Sequence, residues 1–309
     1  MIAVWIVIAV FGLAVAIVAS GRAVGYASDL AFGFNVPPFV IGAILVAIGT
    51  DLPEIANSIV SAVSEYGDMA AGVATGSTIT QMTLVLGILP FVGGTIATGP
   101  HRIVLPGALM VVGLLVGAGF GSDGAFTRIE GLILVAFWIT SAVLVYRQAP
   151  EAGAPVMIAA EGRPASALAG VAVSLTLVGA GATAAVMAFI EVAETMDVPV
   201  YLVSFFAASI GTSLPELVVD VTAIRKGEKD MAIGDIFGSS LIDASLALGI
   251  GPALVPLAVD GGLVVRSALA GAVIVALLTF ALARRRHHDR ITGLGLLLAY
   301  AALYPVLLA

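Results

Sequence analysis

Cysteine is absent from the 309-residue chain, which excludes disulfides, thiolate metal sites and cysteine nucleophiles. Charge is scarce too: Asp, Glu, Lys and Arg make up 11% of the residues, against roughly 25% in an ordinary soluble domain. No interval is long and polar enough for a large soluble domain, and no basic n-region precedes the first hydrophobic stretch, so that stretch is expected to be a retained span. What fills the chain is apolar: 60% hydrophobic residues and a mean hydropathy of +1.14. At roughly 20 apolar residues per spanning helix, there is room for about ten spans with short loops. Small residues, including 36 glycines, allow the close helix approach that packing in lipid requires. The net charge of −7 comes from 20 acids and 13 bases. With four acids placed inside the membrane, the remainder is nearly balanced, and nothing points to a nucleic-acid partner.

Hydrophobic stretches fall at about 2–20, 37–64, 69–96, 102–121, 127–147, 166–190, 198–224, 230–257, 262–283 and 291–308. The longest polar interval divides them into two groups of five, 1–147 and 166–309, joined by a linker at 148–165. Connections after odd-numbered stretches carry Arg22, Arg102, Arg147, Arg163, Arg225, Lys226, Lys229, Arg284, Arg285, Arg286 and Arg290, whereas those after even-numbered stretches carry Arg128 and Arg266. The bias predicts an integral protein of the cell membrane with a cytoplasmic linker and both termini outside. The cluster from Arg284 to Arg290, with His287 and His288, reads as a topology-fixing loop rather than a metal site.

The chain also repeats itself. Gly49-Thr50-Asp51-Leu52-Pro53-Glu54 recurs 162 residues later as Gly211-Thr212-Ser213-Leu214-Pro215-Glu216, and 16 of the 41 positions from 48 to 88 are identical at that offset. Five spans per half is an odd number, so the second copy enters the membrane from the opposite side. The expected fold is an all-α polytopic membrane protein of about ten transmembrane helices in two inverted five-helix repeats. Kinked helices 2 and 7 pack against helices 3 and 8, and a substrate site lies where the copies meet.

Glu54 and Glu216 lie inside apolar spans that contain no Lys or Arg. A carboxylate at such a depth costs roughly 2.5–3.5 kcal/mol on insertion scales and usually faces a cavity or ion path. Thr50, Asp51 and Glu54 share one helix face, as do Thr212, Ser213 and Glu216. Pro53 and Pro215 deprive the carbonyls of Gly49 and Gly211 of their helical partners. Each kink therefore sets backbone oxygens beside a carboxylate and a hydroxyl, donors that suit hard cations such as Ca²⁺ and Na⁺. Ser77 with Gln81, and Ser239 with Asp243, are spaced by four along the neighbouring spans. Gly72, Gly76, Gly234 and Gly238 form small-xxx-small steps on those spans. Asp235 continues the face of Ser239 and Asp243. It reads either as a cation-concentrating acid at the inner entrance or as a solvated acid at a helix start.

These two segments resemble the alpha repeats of the cation/calcium exchanger superfamily, in particular its prokaryotic sodium/calcium exchangers, through Gly-Thr-Ser-Leu-Pro-Glu at 211–216 and Gly-Ser-Ser-Leu-Ile-Asp at 238–243. The resemblance implies an antiporter in which helices 1 and 6 slide across a core of helices 2, 3, 7 and 8. It implies Glu54 and Glu216 as central Ca²⁺ ligands, with Thr50 and Thr212 beside them. Ser77, Ser239, Asp243 and backbone carbonyls near Ala47 and Ser209 would complete the Ca²⁺ and Na⁺ sites, and Ser213 sits within the motif itself. Two positions depart from the family: Asp51 stands where Ser is usual and Gln81 where Asn is usual, which opens ion selectivity and stoichiometry.

The expected activity is secondary active exchange of a divalent cation, Ca²⁺, for Na⁺ by alternating access, in a monomer whose partners are inorganic cations and the lipid bilayer. Proton coupling, or Mg²⁺ or another divalent cation, is the alternative, followed by a cation channel. An enzyme is disfavoured: the spans lack His ligands, and Asp51 with Glu54 on one helix is not an aspartyl-protease dyad. No cofactor is expected beyond the transported ions.

Overall fold

The computed structural model describes residues 2–33, 36–63, 65, 67–148, 164–195 and 210–308. Its helices are α1 (Ile2–Gly33), α2 (Pro38–Thr50), α3 (Leu52–Val63), α4 (Gly67–Gly93), α5 (Pro100–Gly121), α6 (Arg128–Gln148), α7 (Pro164–Thr195), α8 (Leu214–Lys226), α9 (Lys229–Leu254), α10 (Gly261–Arg285) and α11 (Arg290–Leu308). Four two-residue strands lie in the connections: β1 (Ile96–Ala97), β2 (Ala125–Phe126), β3 (Leu257–Ala258) and β4 (His287–His288).

Six of these helices are long and apolar enough to cross a bilayer, and a seventh span results if α2 and α3, bent by 46° at Asp51, are taken together. Ser166–Gly181 and Arg290–Ala302 are shorter apolar helices. Residues 198–209, the start of the seventh hydrophobic stretch, lie outside the described residues, as do 149–163 of the linker. The first stretch runs on past its expected end, so Arg22 belongs to α1 rather than to a loop. At about 1.5 Å per residue, α1 is longer than a hydrocarbon core of about 30 Å. Its end can therefore carry Arg22 and Asp29 at the membrane surface.

The polarity of the fold is that of a protein dissolved in lipid. Phe11, Ile129, Leu277, Phe280, Ile291 and Leu298 are exposed, while Thr50, Asp51, Glu54, Ser77, Gln81, Glu216, Ser239 and Asp243 are buried. Glycine makes the central crossing possible. A Cβ on Gly42 would lie 2.2 Å from the Met231 carbonyl oxygen, and one on Gly238 would lie 2.2 Å from that of Ala43. The backbones of α2 and α9 thus touch. α1 and α7 pack along each other outside this crossing, and Ser20 of α1 meets Thr222 of α8 at 2.8 Å.

The offset of 162 reappears in three dimensions. α11 begins 162 residues after α6, and the backbone turns at Asp51 (φ −81°, ψ 5°) and Ser213 (φ −85°, ψ 5°) are nearly identical. β1 pairs with β4 and β2 with β3, each strand thereby joining the other half of the chain. The connections that hold β1 and β4 share one face of the molecule, and those that hold β2 and β3 share another. On the first face, Lys229 donates to the carbonyls of Gly93 (2.7 Å) and Thr95 (3.0 Å), capping the end of α4. His288 in β4 donates from Nε2 to the Leu86 carbonyl (2.8 Å) and bonds Thr292 Oγ1 through Nδ1 (2.7 Å). Burial pushes its pKa below the ordinary histidine value. Both ring nitrogens are occupied in packing α11 to α4, which fits the reading of this loop as structural.

Candidate cation site

Proline places the two breaks. The ring of Pro53 crowds the carbonyl of Gly49, and its missing N–H removes that carbonyl's helical partner. The chain turns at Asp51 and resumes as α3, and the same sequence breaks at Ser213 before α8. Glu54 and Glu216 consequently sit in the first turns of new helices, where the partial positive charge of free N–H groups favours an anion. The facing walls are irregular as well. Gln81–Val85 and Ile242–Ala247 are π-helical, a winding common at functional sites, and these segments carry Gln81 and Asp243.

The structure gathers the expected side chains of both halves. Carboxylate oxygens of Asp51, Glu54 and Asp243 lie within 4.8 Å of one another, all three residues being buried. Glu216 adjoins Asp51 and Thr50, and Thr212 adjoins Glu54, so each half sets its threonine beside the other half's glutamate. The hydroxyls cross in the same way: Ser77 meets Thr212 at 3.1 Å, and Ser239 meets Thr50 at 3.4 Å. Ser213 is buried at the second break with its hydroxyl unbonded among the described residues. The Ala47 carbonyl already accepts from the Asp51 N–H (3.0 Å) and the Thr50 hydroxyl (3.2 Å). Ser209 lies outside the described residues.

The two departures from the exchanger pattern touch each other. Gln81 Nε2 donates to Asp51 Oδ1 at 3.4 Å, and Ser240 donates to Gln81 Oε1 at 2.9 Å. A longer amide and an added carboxylate therefore form one feature that spans α2, α4 and α9.

Asp235 is neither a solvated acid nor an open entrance residue. It is 0% exposed, and its Oδ1 faces the hydroxyls of Thr50 and Ser239 at 3.4 Å each. The reading from sequence also missed Asp220, which is fully buried against Asp235. Its position four residues after Glu216, on the same helix face, was the available signal. The counterpart in the first half is Ser58, so a search for matching acids passes over it.

Both carboxylate oxygens of Glu54, Glu216, Asp220 and Asp243 lack a hydrogen-bond partner among the described residues. Burying unpaired carboxylates is costly, and no Lys or Arg is among the described buried residues. Charge balance therefore has to come from cations or protons that enter the cluster. Oxygen-only donors of this kind select hard cations over soft ones.

Residues 4–147 and 166–308 match the family described as sodium/calcium exchanger protein. The inner membrane protein YrbG of Escherichia coli K12 is 32% identical over 80% of this chain and 78% of its own length. The putative antiporter CaxA of Alkalimonas amylolytica is 31% identical over 94% of each chain. Among solved structures, the sodium-calcium exchanger NCX_Mj soaked with Na⁺ and Sr²⁺ superposes with a TM-score of 0.82 at 26% identity, covering 98% of both chains. With the motif repeated, the carboxylates of both halves brought together and the match running along nearly the whole chain, this protein belongs to the sodium/calcium exchanger family.

Proposed function

We propose that the chain is a secondary active antiporter that moves a divalent cation, Ca²⁺, against Na⁺ by alternating access. The observation that carries this reading is the buried cluster of Asp51, Glu54 and Asp243, with oxygens within 4.8 Å of one another and no basic partner among the described residues. A dication is the ligand that such an arrangement accommodates at lowest electrostatic cost. Glu54, Glu216 and Asp243 take the divalent ion. Thr50, Ser77, Thr212, Ser213 and Ser239 supply neutral oxygens, and Gln81 holds Asp51 beside them. The names of the relatives, an antiporter and a sodium-calcium exchanger, support the same reading. In this reading α1 and α7 move across the core, the protein works as a monomer in the cell membrane, and the linker faces the cytoplasm. The Asp51–Gln81 contact favours one variation on it, in which a proton or an additional monovalent ion joins the cycle.

The test is radiolabelled Ca²⁺ uptake into proteoliposomes with an imposed Na⁺ gradient, repeated with an H⁺ gradient. Uptake is expected to follow the Na⁺ gradient, and Glu54→Gln or Glu216→Gln is expected to reduce it to the level of empty liposomes. A neutral amide cannot replace a carboxylate around a dication. Near wild-type uptake in either variant overturns the assignment of the central ligands. Uptake that persists without any counter-ion gradient favours a channel.

A further inference from the structure

Asp220 and Asp235 face each other across the contact between α8 and α9, and both are 0% exposed. Neither oxygen of Asp220 has a hydrogen-bond partner among the described residues, nor does Oδ2 of Asp235. Asp235 Oδ1 receives only two long contacts, from Thr50 and Ser239 at 3.4 Å. Asp220 lies one helical turn beyond Glu216 and Asp235 about two turns before Asp243. Both are therefore displaced from the central cluster toward the turn at Gly227, by about 6 and 12 Å along their helices.

The first half contains no such pair. The positions 162 residues earlier are Ser58 and Val73. Ser58 is a packing residue whose hydroxyl accepts from the Gly251 N–H at 3.1 Å. A purely structural role at position 220 would be filled in the same way, by a short side chain with a fixed partner. Two apposed carboxylates in a dry interface instead repel each other.

We infer that Asp220 and Asp235, with the hydroxyls of Thr50 and Ser239, form a second cation site that takes a divalent ion of the Ca²⁺ class. The pair offers four carboxylate oxygens and two hydroxyls, within the range of six to eight oxygens that Ca²⁺ takes. Its charge of −2 balances one dication. Thr50 and Ser239 belong to both sites, which places the second site directly along the path from the central one. With Ser58 and Val73 at the matching positions, the path carries this stop on one side only. The inference rests on reading the central cluster as the transport site, but it is tested apart from it.

Ca²⁺ binding to the purified full-length protein, measured by equilibrium dialysis with radiolabelled Ca²⁺ in Na⁺-free buffer, separates the two. Wild type is expected to bind two ions per chain. Asp220→Asn with Asp235→Asn is expected to bind one, and Asp220→Glu, which keeps the carboxylate, two. Asp220→Ser with Asp235→Val installs the first half's own residues as an independently folding check and is expected to bind one. Loss of one ion in Glu54→Gln with Glu216→Gln supports the central site, whatever the outcome at Asp220. The second site is overturned if wild type binds a single ion, if the variants at 220 and 235 still bind two, or if they lose only Na⁺ binding.

Discussion

Asp51 concentrates the chemistry that separates this chain from the exchanger pattern it otherwise follows. The side chain is fully buried, is held by Gln81, and shares a cluster with Glu54 and Asp243. Together with Glu216, these groups carry −4 when ionised; one divalent ion leaves −2, and without Asp51 it would leave −1. An added buried charge of that kind raises the positive charge the occluded site must take up. Asp51→Ser is therefore expected to preserve divalent exchange while lowering by one the number of monovalent cations, protons included, moved per divalent ion. The reversal potential of coupled flux measures that number, and an unchanged value in Asp51→Ser would show Asp51 to be a spectator. This feature was half legible in the sequence. Both departures, at positions 51 and 81, could be seen as separate oddities, but only folding shows that they bond to each other.

At the scale of the element, the crossing of α2 and α9 depends on absent side chains. A Cβ on Gly238 would meet the carbonyl oxygen of Ala43 at 2.2 Å and two further atoms of that backbone at 2.6 Å. Backbone cannot rotate away as a side chain can, so the helices must separate. Overpacking of this kind costs about 1–3 kcal/mol, and the separation would open the contact of Thr50 with Ser239 one residue away. Gly238→Ala is expected to lower both the thermal midpoint and the transport rate of the purified protein. Gly119→Ala, at an exposed position with nothing within 4 Å, serves as the control and should leave both nearly unchanged. The glycine steps, the Pro-Glu breaks and the facing Ser-x-x-x-Asp were all legible, because repetition marks them twice. The π windings at 81 and 242 were not, since hydrogen-bond register leaves no trace in hydrophobic periodicity. Asp220 went unseen for the opposite reason: it has no counterpart in the other half.

At the scale of the molecule, the strand pairing sorts the basic residues. β1 and β4 bring together the connections around Arg102 and Arg284–Arg290, while β2 and β3 bring together those beside Arg128 and Arg266. Lys226 hydrogen-bonds the Gly21 carbonyl, and Arg102 pairs with Asp230, so Arg22 and the turn after α8 belong to the first face. Eleven of the thirteen bases were assigned to one side from loop order alone. The fold then groups their described members at one end even though Arg22 proved to be helical. Since Lys and Arg are retained on the cytoplasmic side during insertion, that face is expected to be cytoplasmic, with both termini and the β2–β3 face outside. The lack of cysteine allows a clean check with single introduced thiols and a membrane-impermeant maleimide. In intact cells Asp123→Cys, in the exposed turn before β2, is expected to label at once. Arg225→Cys, exposed at the end of α8, should label only after permeabilisation. The reverse pattern would invert the protein in the membrane and place the acid pair of Asp220 and Asp235 on the outer side of the central cluster.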